Sequence, residues 1–312
     1  MNQTVAIPLV SMATPRVHAV IVTYHPEPLL VRDVVEAVQS QVTAVHVVDN
    51  GSAESTLDAL RTMAGVQLHP QMRNLGIGAA QNAGIRVALA AGADFVLLLD
   101  QDSLPSPGMV AELLDVHGQL SRQGQRVGAL GPLRVAADGS QAGFARLGIG
   151  RYREMFPAAG ERWCTCDVLI ASGSLMPRAA LEGAGLMDEG LFIDKVDIEW
   201  CLRAARRGYV IAGVPGARLA HRLGDRTVRL WALRWYRLPL HQPFRYYYMV
   251  RNSILMQRTP GVGWRWRLAD AYQGLQILLF FGLLVRGRGK NLRMMLRGLW
   301  DGLHAVNGPL RS

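Results

Sequence analysis

The chain has 312 residues, half of them hydrophobic, and carries 34 Lys and Arg against 24 Asp and Glu for a net charge of +10. That much apolar material suffices for one large domain, or for a domain with a helical appendage, and excludes a disordered chain. Its three cysteines, Cys164, Cys166 and Cys201, form neither a disulfide framework nor two paired zinc half-sites, which fits a reducing cytoplasm.

The first residues, MNQTVAIPLVSMATPR, lack the basic segment and long apolar run of a secretory signal, so export by that route is not expected. Residues 17–23 (VHAVIVT), 44–48, 66–69 and 95–99 are short, branched apolar runs that predict buried parallel strands. Between them, residues 29–40, 55–63 and 77–91 repeat their apolar positions at helical period. Strand and helix alternating in this way predict a doubly wound α/β sheet, with ligands gathered at the carboxyl ends of the strands.

All four runs end in polar residues: Thr23, Tyr24 and His25 after the first; Asp49, Asn50, Gly51 and Ser52 after the second; residues 71–76, with Asn74 and Gly76, after the third; Asp100, Gln101, Asp102 and Ser103 after the fourth. Core packing does not call for four polar strand ends on one rim. In LLLDQD (97–102) the two carboxylates stand two residues apart, so on extended chain they can face the same way and share a hard cation, Mg²⁺ or Mn²⁺, with a diphosphate. The same residues would also make an Asx turn ahead of Pro105 and Pro107. Asp49 can accept the imide N–H of a pyrimidine ring, while DNGS equally suits an ordinary turn. NLGIGAAQNAG (74–84) brings backbone N–H groups to a helix start where phosphate can bind, with Gln81 and Asn82 close behind. It is not a dinucleotide fingerprint, because Gln81 stands where the third glycine belongs, and a dehydrogenase is thereby disfavoured.

After Pro132 the pattern breaks into a glycine-rich hairpin or loop excursion through Pro157, and regularity returns with DVLIASGSLMPR (167–178). FIDKVDIEW (192–200) sets Asp194, Asp197 and Glu199 at a helix start, where acids serve as dipole partners or where one of them can act as a general base. VIAGVPGARLA (210–220) is strand-like and leads to His221 and Arg222. Beyond about residue 230 the chain reads as helical, amphipathic and basic. Residues 1–202 hold 14 Lys and Arg against 21 Asp and Glu, and residues 203–312 hold 20 against 3. Arg alternates there with Trp and Tyr, as in WRWR (264–267), which suits an anionic membrane surface; no nucleic-acid-reading module accompanies the charge. The longest apolar stretch, 275–285, is interrupted by Gly282 and falls short of the roughly 20 residues that span a bilayer.

VIVTYHP, VVDNGS, NLGIGAAQNAGI, LLLDQDS, ASGSLMPR, GLMDEGLFIDKVDIEWCLRA, HRLGD and RYYYMVRN together resemble the rhamnosyltransferases of glycosyltransferase family 2, over residues 17–257. The resemblance implies a GT-A fold, a dTDP-L-rhamnose donor, a divalent metal and inversion at the anomeric carbon. It puts Thr23 and Tyr24 beside the base, Asp49 on its imide, Asn50, Asn74, Gly76, Gln81, Asn82 and Gln101 around the donor, and Asp100 and Asp102 on metal and diphosphate. His221 resembles a histidine that completes the metal shell, and Arg222 and Arg245 would neutralise the leaving diphosphate. In the family pattern the catalytic aspartate follows an Asp-Glu by nine residues, and from Asp188 that count gives Asp197, then Glu199 and Arg203. Val196 departs from the pattern, where a glutamate is usual, and leaves Asp194 as a rival base. The organisation expected is a catalytic domain over 1–229, with a nucleotide-sugar part (17–132) and an acceptor part (133–229), followed by a helical, membrane-associating region over 230–312. Such an enzyme would work on the inner face of the cytoplasmic membrane on a lipid-linked saccharide or glycolipid. The alternatives are a family 2 transferase with a UDP-hexose donor, and a basic membrane- or nucleic-acid-binding protein without catalysis.

Overall fold

The computed structural model describes residues 14–136, 138–221, 227–232, 234–239, 241–259, 262–284 and 288–311. The branched apolar runs form the strands their sequence predicts: β1 (Val17–Thr23), β2 (Ala44–Asp49), β3 (Val66–Pro70) and β4 (Phe95–Asp100). They alternate with α1 (Pro28–Gln39), α2 (Glu54–Arg61) and α3 (Ile77–Ala90). A short β5 (Ser103–Pro105) and α4 (Met109–Arg122) follow, then β6 (Val127–Val135), β7 (Gln141–Ala142), β8 (Phe144–Leu147), β9 (Tyr152–Met155), β10 (Cys164–Thr165) and β11 (Leu175–Pro177). The acid-rich part carries α5 (Arg178–Ala184) and α6 (Val196–Arg206) before β12 (Val210–His221).

The main sheet has the order β10-β12-β6-β11-β4-β1-β2-β3, with β5 on β12 and β7 on β6. β3, β2, β1 and β4 are parallel, as are β6 and β12, but the short β11 runs antiparallel between β4 and β6. The sheet is therefore mixed rather than purely parallel. Alternating strand residues feed two cores. Val20, Val22, Val48, Val96 and Leu98 meet α3, α5 and α6 on one face, while Ala19, Ile21, Val45, Val47, Leu97 and Leu99 meet α1 and α4 on the other. Burial on both faces explains why these strands are apolar without alternation. The excursion after Pro132 consists of β7 and the β8–β9 hairpin. Cys164, Cys166 and Cys201 are buried free thiols.

One expectation is corrected. Helix does not begin near residue 230: Thr227–Ala232 (β13) and Arg234–Pro239 (β14) pair as an antiparallel hairpin. Apolar and basic residues alternating in close succession satisfy a strand's period of two as readily as a loose helical stripe, and Pro239 closes the second strand. The helices start after it, as α7 (Pro243–Arg258), α8 (Trp264–Ile277) and α9 (Arg288–Leu303), with a π-helical turn, Leu278–Leu284, between the last two. Among the described residues no helix is long and apolar enough to cross a membrane. Trp264, Leu268, Tyr272, Leu275 and Leu279 lie exposed at helical spacing on α8 and its extension, and Leu296, Leu299, Trp300 and Leu303 are exposed on α9.

Candidate active site

Strand register brings the polar ends level: Thr23 is opposite Asp49, and Val22 is opposite Asp100. Asp49 is fully buried and accepts four hydrogen bonds, from Thr23 Oγ1 (2.8 Å), Ser52 Oγ (2.7 Å), Ser52 N (2.7 Å) and Gly51 N (3.1 Å). These fill its lone-pair sites and make Asp49 the brace of the turn 49–52. Asn50 donates to Asn74 Oδ1 (3.0 Å) and accepts from Leu75 N (2.9 Å), tying this turn to the start of α3. Gly76, at φ 91, caps α3 against the 190s loop: a Cβ there would stand 2.6 Å from the Phe192 carbonyl oxygen, which accepts from Ile77 N. Tyr24 is half-exposed, and its backbone N–H donates to Gln101 Oε1 (2.8 Å).

A cavity of about 430 Å³ opens beside this rim. Gln81, Asp100, Arg134, Asp194, Asp197 and Arg245 provide its polar lining, and Met249, Gln273 and Ile277 close it from α7 and α8. Gln81 is 3% exposed, and its Oε1 is buried without a hydrogen-bond partner in the cavity wall. Burial raises the Asp100 carboxyl to about 7, helped by the charges of Asp102 and Asp197. A divalent cation between Asp100 and Asp102 would relieve that repulsion, and their hard oxygens fit Mg²⁺ or Mn²⁺. Among the described residues no group of three or more His, Cys, Asp or Glu side chains is arranged to hold an ion by itself. The backbone of β12 places His221 opposite Ser103, next to Asp102; its side chain and all of Arg222 lie outside the described residues.

The three candidate acids have different fates. Asp197, in the first turn of α6, is held by backbone N–H groups of Ile198 (2.8 Å) and Ala171, and burial still pushes its carboxyl upward. Asp194 pairs with Arg245 at 2.7 Å, so its charge is already matched. Glu199 points elsewhere: it forms a two-pronged pair with Arg203 (2.8 Å each), whose guanidinium also donates to the carbonyls of Ala184 and Leu186. Residues two apart on a helix are turned by roughly 200°, so Asp197 and Glu199 cannot serve one cavity. Asn82 is likewise structural, joined to Met187 N and O (2.9 Å each) and Glu189 Oε1 (2.8 Å) rather than turned to the donor side.

The loop bearing these acids is strained. Phe192, Asp194 and Lys195 have φ of 64, 63 and 63, each costing on the order of 1–3 kcal/mol for a residue with a Cβ. It is held from the tail. Asn252 Nδ2 donates to the carbonyls of Leu191 (2.9 Å), Ile193 (2.7 Å) and Asp194 (2.9 Å), and Tyr248 stacks on Phe192 at 5.0 Å. Sequence reasoning missed Arg134, because it sits at a strand end inside a stretch read as irregular. It assigned no role to Arg251 and Asn252, although both close the RYYYMVRN motif; the structure buries both.

The glycosyl transferase family 2 pattern matches residues 19–176. The chain is 33% identical over 245 residues to the dTDP-rhamnosyl transferase RfbF of Shigella flexneri, covering 78% of this chain and 80% of that one. It is 28% identical over 306 residues to the N-acetylglucosaminyl-diphospho-decaprenol L-rhamnosyltransferase of Mycobacterium tuberculosis, covering 88% and 96%. In fold it is similar to S. aureus TarS 1–349 in complex with UDP-GlcNAc (TM-score 0.57, 14% identity, 93% and 81% covered). It is also similar to GalNAc-T7 with UDP, GalNAc and Mn²⁺ (TM-score 0.56, 14% identity, 85% covered), of which it spans about half, 56%. Sheet order, polar rim and these similarities converge: the chain belongs to glycosyl transferase family 2 and is a glycosyltransferase with a GT-A-like α/β fold.

Proposed function

We propose that the chain transfers L-rhamnose, with inversion, from dTDP-L-rhamnose to a hydroxyl of a lipid-linked saccharide or glycolipid in cell-surface polysaccharide synthesis. The observation that carries the reading is Asp197, a carboxylate that accepts from backbone N–H groups and lines the same cavity as Asp100. Both rhamnosyltransferase relatives support the sugar, and the Mycobacterium tuberculosis relative's lipid-linked acceptor supports the acceptor class.

In this reading the thymine lies against Thr23, Tyr24 and the turn braced by Asp49, and the diphosphate lies over the start of α3 near Gly76. Asp100 and Asp102 would hold Mg²⁺ or Mn²⁺, which would supply positive charge against a diphosphate. Asp197 takes the proton of the acceptor hydroxyl as it attacks, a task suited to a carboxylate whose proton affinity burial has raised. Asp194, matched by Arg245, orients the acceptor side, and Arg134 lends positive charge to the cavity. The exposed Trp264, Leu268, Tyr272 and Leu275 on α8, with the basic tail around them, suit peripheral contact with the anionic inner face of the cytoplasmic membrane.

The test measures nucleotide diphosphate release from dTDP-L-rhamnose, UDP-glucose and UDP-galactose, with a membrane lipid extract as acceptor, with and without EDTA, for wild type and Asp197→Asn. EDTA-sensitive release from dTDP-L-rhamnose that the variant loses is the expected result. Release from a UDP-sugar alone would overturn the donor, and an active Asp197→Asn would overturn the base.

A further inference from the structure

The loop that carries the acids is braced from the tail in addition to its own turn hydrogen bonds. Its left-handed residues, Phe192, Asp194 and Lys195, immediately precede α6, so the position of Asp197 depends on whatever fixes them. Two contacts from the tail do so. On α7, the Asn252 amide reaches the loop carbonyls of Leu191, Ile193 and Asp194, and its own Oδ1 accepts from Arg251 Nε (2.9 Å), which turns the NH₂ toward the loop. Both residues are fully buried. On α8, the Asp270 carboxylate pairs with Lys195 Nζ and is itself held by Ser253 Oγ (3.2 Å) and Gln257 Nε2 (3.3 Å). Lys195 lies two residues before Asp197 and is only 11% exposed, so this pair works away from bulk water.

We propose that Asn252 and the Lys195–Asp270 pair are positioning residues for transfer: α7 and α8, which supply no base, fix where the Asp197 carboxylate stands. The proposal rests on Asp197 being the base. Its physical content is that a displacement of about 1 Å at a reacting group can cost on the order of 100-fold in rate. The ends of β1, β2 and β4, where the base lies in this reading, keep their own register when the clamp is lost, so dTDP binding is expected to survive.

The full-length chain is compared as wild type, Asn252→Ala and Asp270→Asn by calorimetric binding of dTDP with Mg²⁺ and by steady-state transfer. Asp270→Asn preserves shape and removes only the charge facing Lys195. The expected result is dTDP affinity within about twofold of wild type and kcat lowered roughly 10- to 100-fold, with KM for the donor little changed. If Asn252→Ala does not fold, Asp270→Asn decides. A variant that binds dTDP normally and keeps kcat within about threefold overturns the proposal, as does parallel loss of dTDP binding and kcat in both variants, which marks a mere scaffold. Asp197→Asn in the same series separates the two claims: if it stays active the base assignment has failed, and if it is inactive while Asp270→Asn is fully active only the clamp has failed.

Discussion

The polar strand-end rim and the acid loop meet at one cavity, lined by Asp100 from the first and by Asp194 and Asp197 from the second, but they are held in different ways. The rim sits on the ends of adjacent strands: Thr23 and Asp49 are register partners, and the Asp49 carboxylate gathers the whole turn that follows. The acid loop has left-handed residues in place of a ladder, and its shape comes from side chains some sixty positions later, Arg251 and Asn252, and from Asp270 beyond them. The rim is thus held by residues close to it in sequence, whereas the shape of the acid loop is set by a distant part of the chain. In the reading proposed above, this arrangement would couple the basic tail to the reacting groups.

The largest effect expected from breaking this comparison is chemical. Asp197→Asn should lower kcat by roughly 10²–10⁴-fold, the usual worth of a general base, without weakening dTDP binding; single-turnover transfer measures the first and calorimetry the second. Next comes the buried ion pair. Lys195→Met leaves Asp270 buried without its cation and should cost about 3–5 kcal/mol in urea unfolding, while Arg61→Met, which breaks an exposed pair with Glu54 and Asp58, should leave the urea midpoint nearly unchanged. On the rim side, a Cβ at Gly84 would stand 2.3 Å from Val20 Cγ1, so Gly84→Ala should destabilise by about 1–3 kcal/mol through overpacking of α3 on β1.

Two smaller effects sharpen the contrast. Glu199→Gln should leave kcat unchanged while lowering the melting temperature, since its partner Arg203 serves the helix and not the cavity; a parallel fall in kcat would return Glu199 to the site. Across β1, β2 and β3, His18, His46 and His69 are linked in a row, 3.0 and 3.2 Å apart. Burial, then the charges of His18 and His69, pull His46 from 6.5 down to about 4. Between those values the unfolded chain binds more protons than the folded one. Stability should therefore be fully present above pH 6.5 and fall as pH drops toward 4, and His46→Leu should flatten that slope in pH-dependent melting.

How far each region could be read from its residues follows from the same contrast. β1 to β4 and the helices between them fall within a residue or two of their predicted bounds, because burial on both faces demands unbroken apolar runs and strand ends must turn polar. The candidate rim was legible for that reason, down to Thr23, Asp49 and Asp100. The antiparallel β11 was not, since three residues carry no direction. Nor was the 227–239 hairpin, where period two and a loose helical stripe coincide.

By itself the sequence determined the α/β alternation, the polar rim, the acid-rich helix start and the basic character of the tail, all properties of neighbours along the chain. Only the tertiary structure decided that Asp194 and Asp197 line the cavity with Arg134, that Asn82 and Glu199 brace the fold instead, and that Asn252 and Asp270 hold the acid loop. Those decisions depend on contacts between residues up to 107 positions apart, and local periodicity holds no information about which distant carbonyl a buried amide will reach.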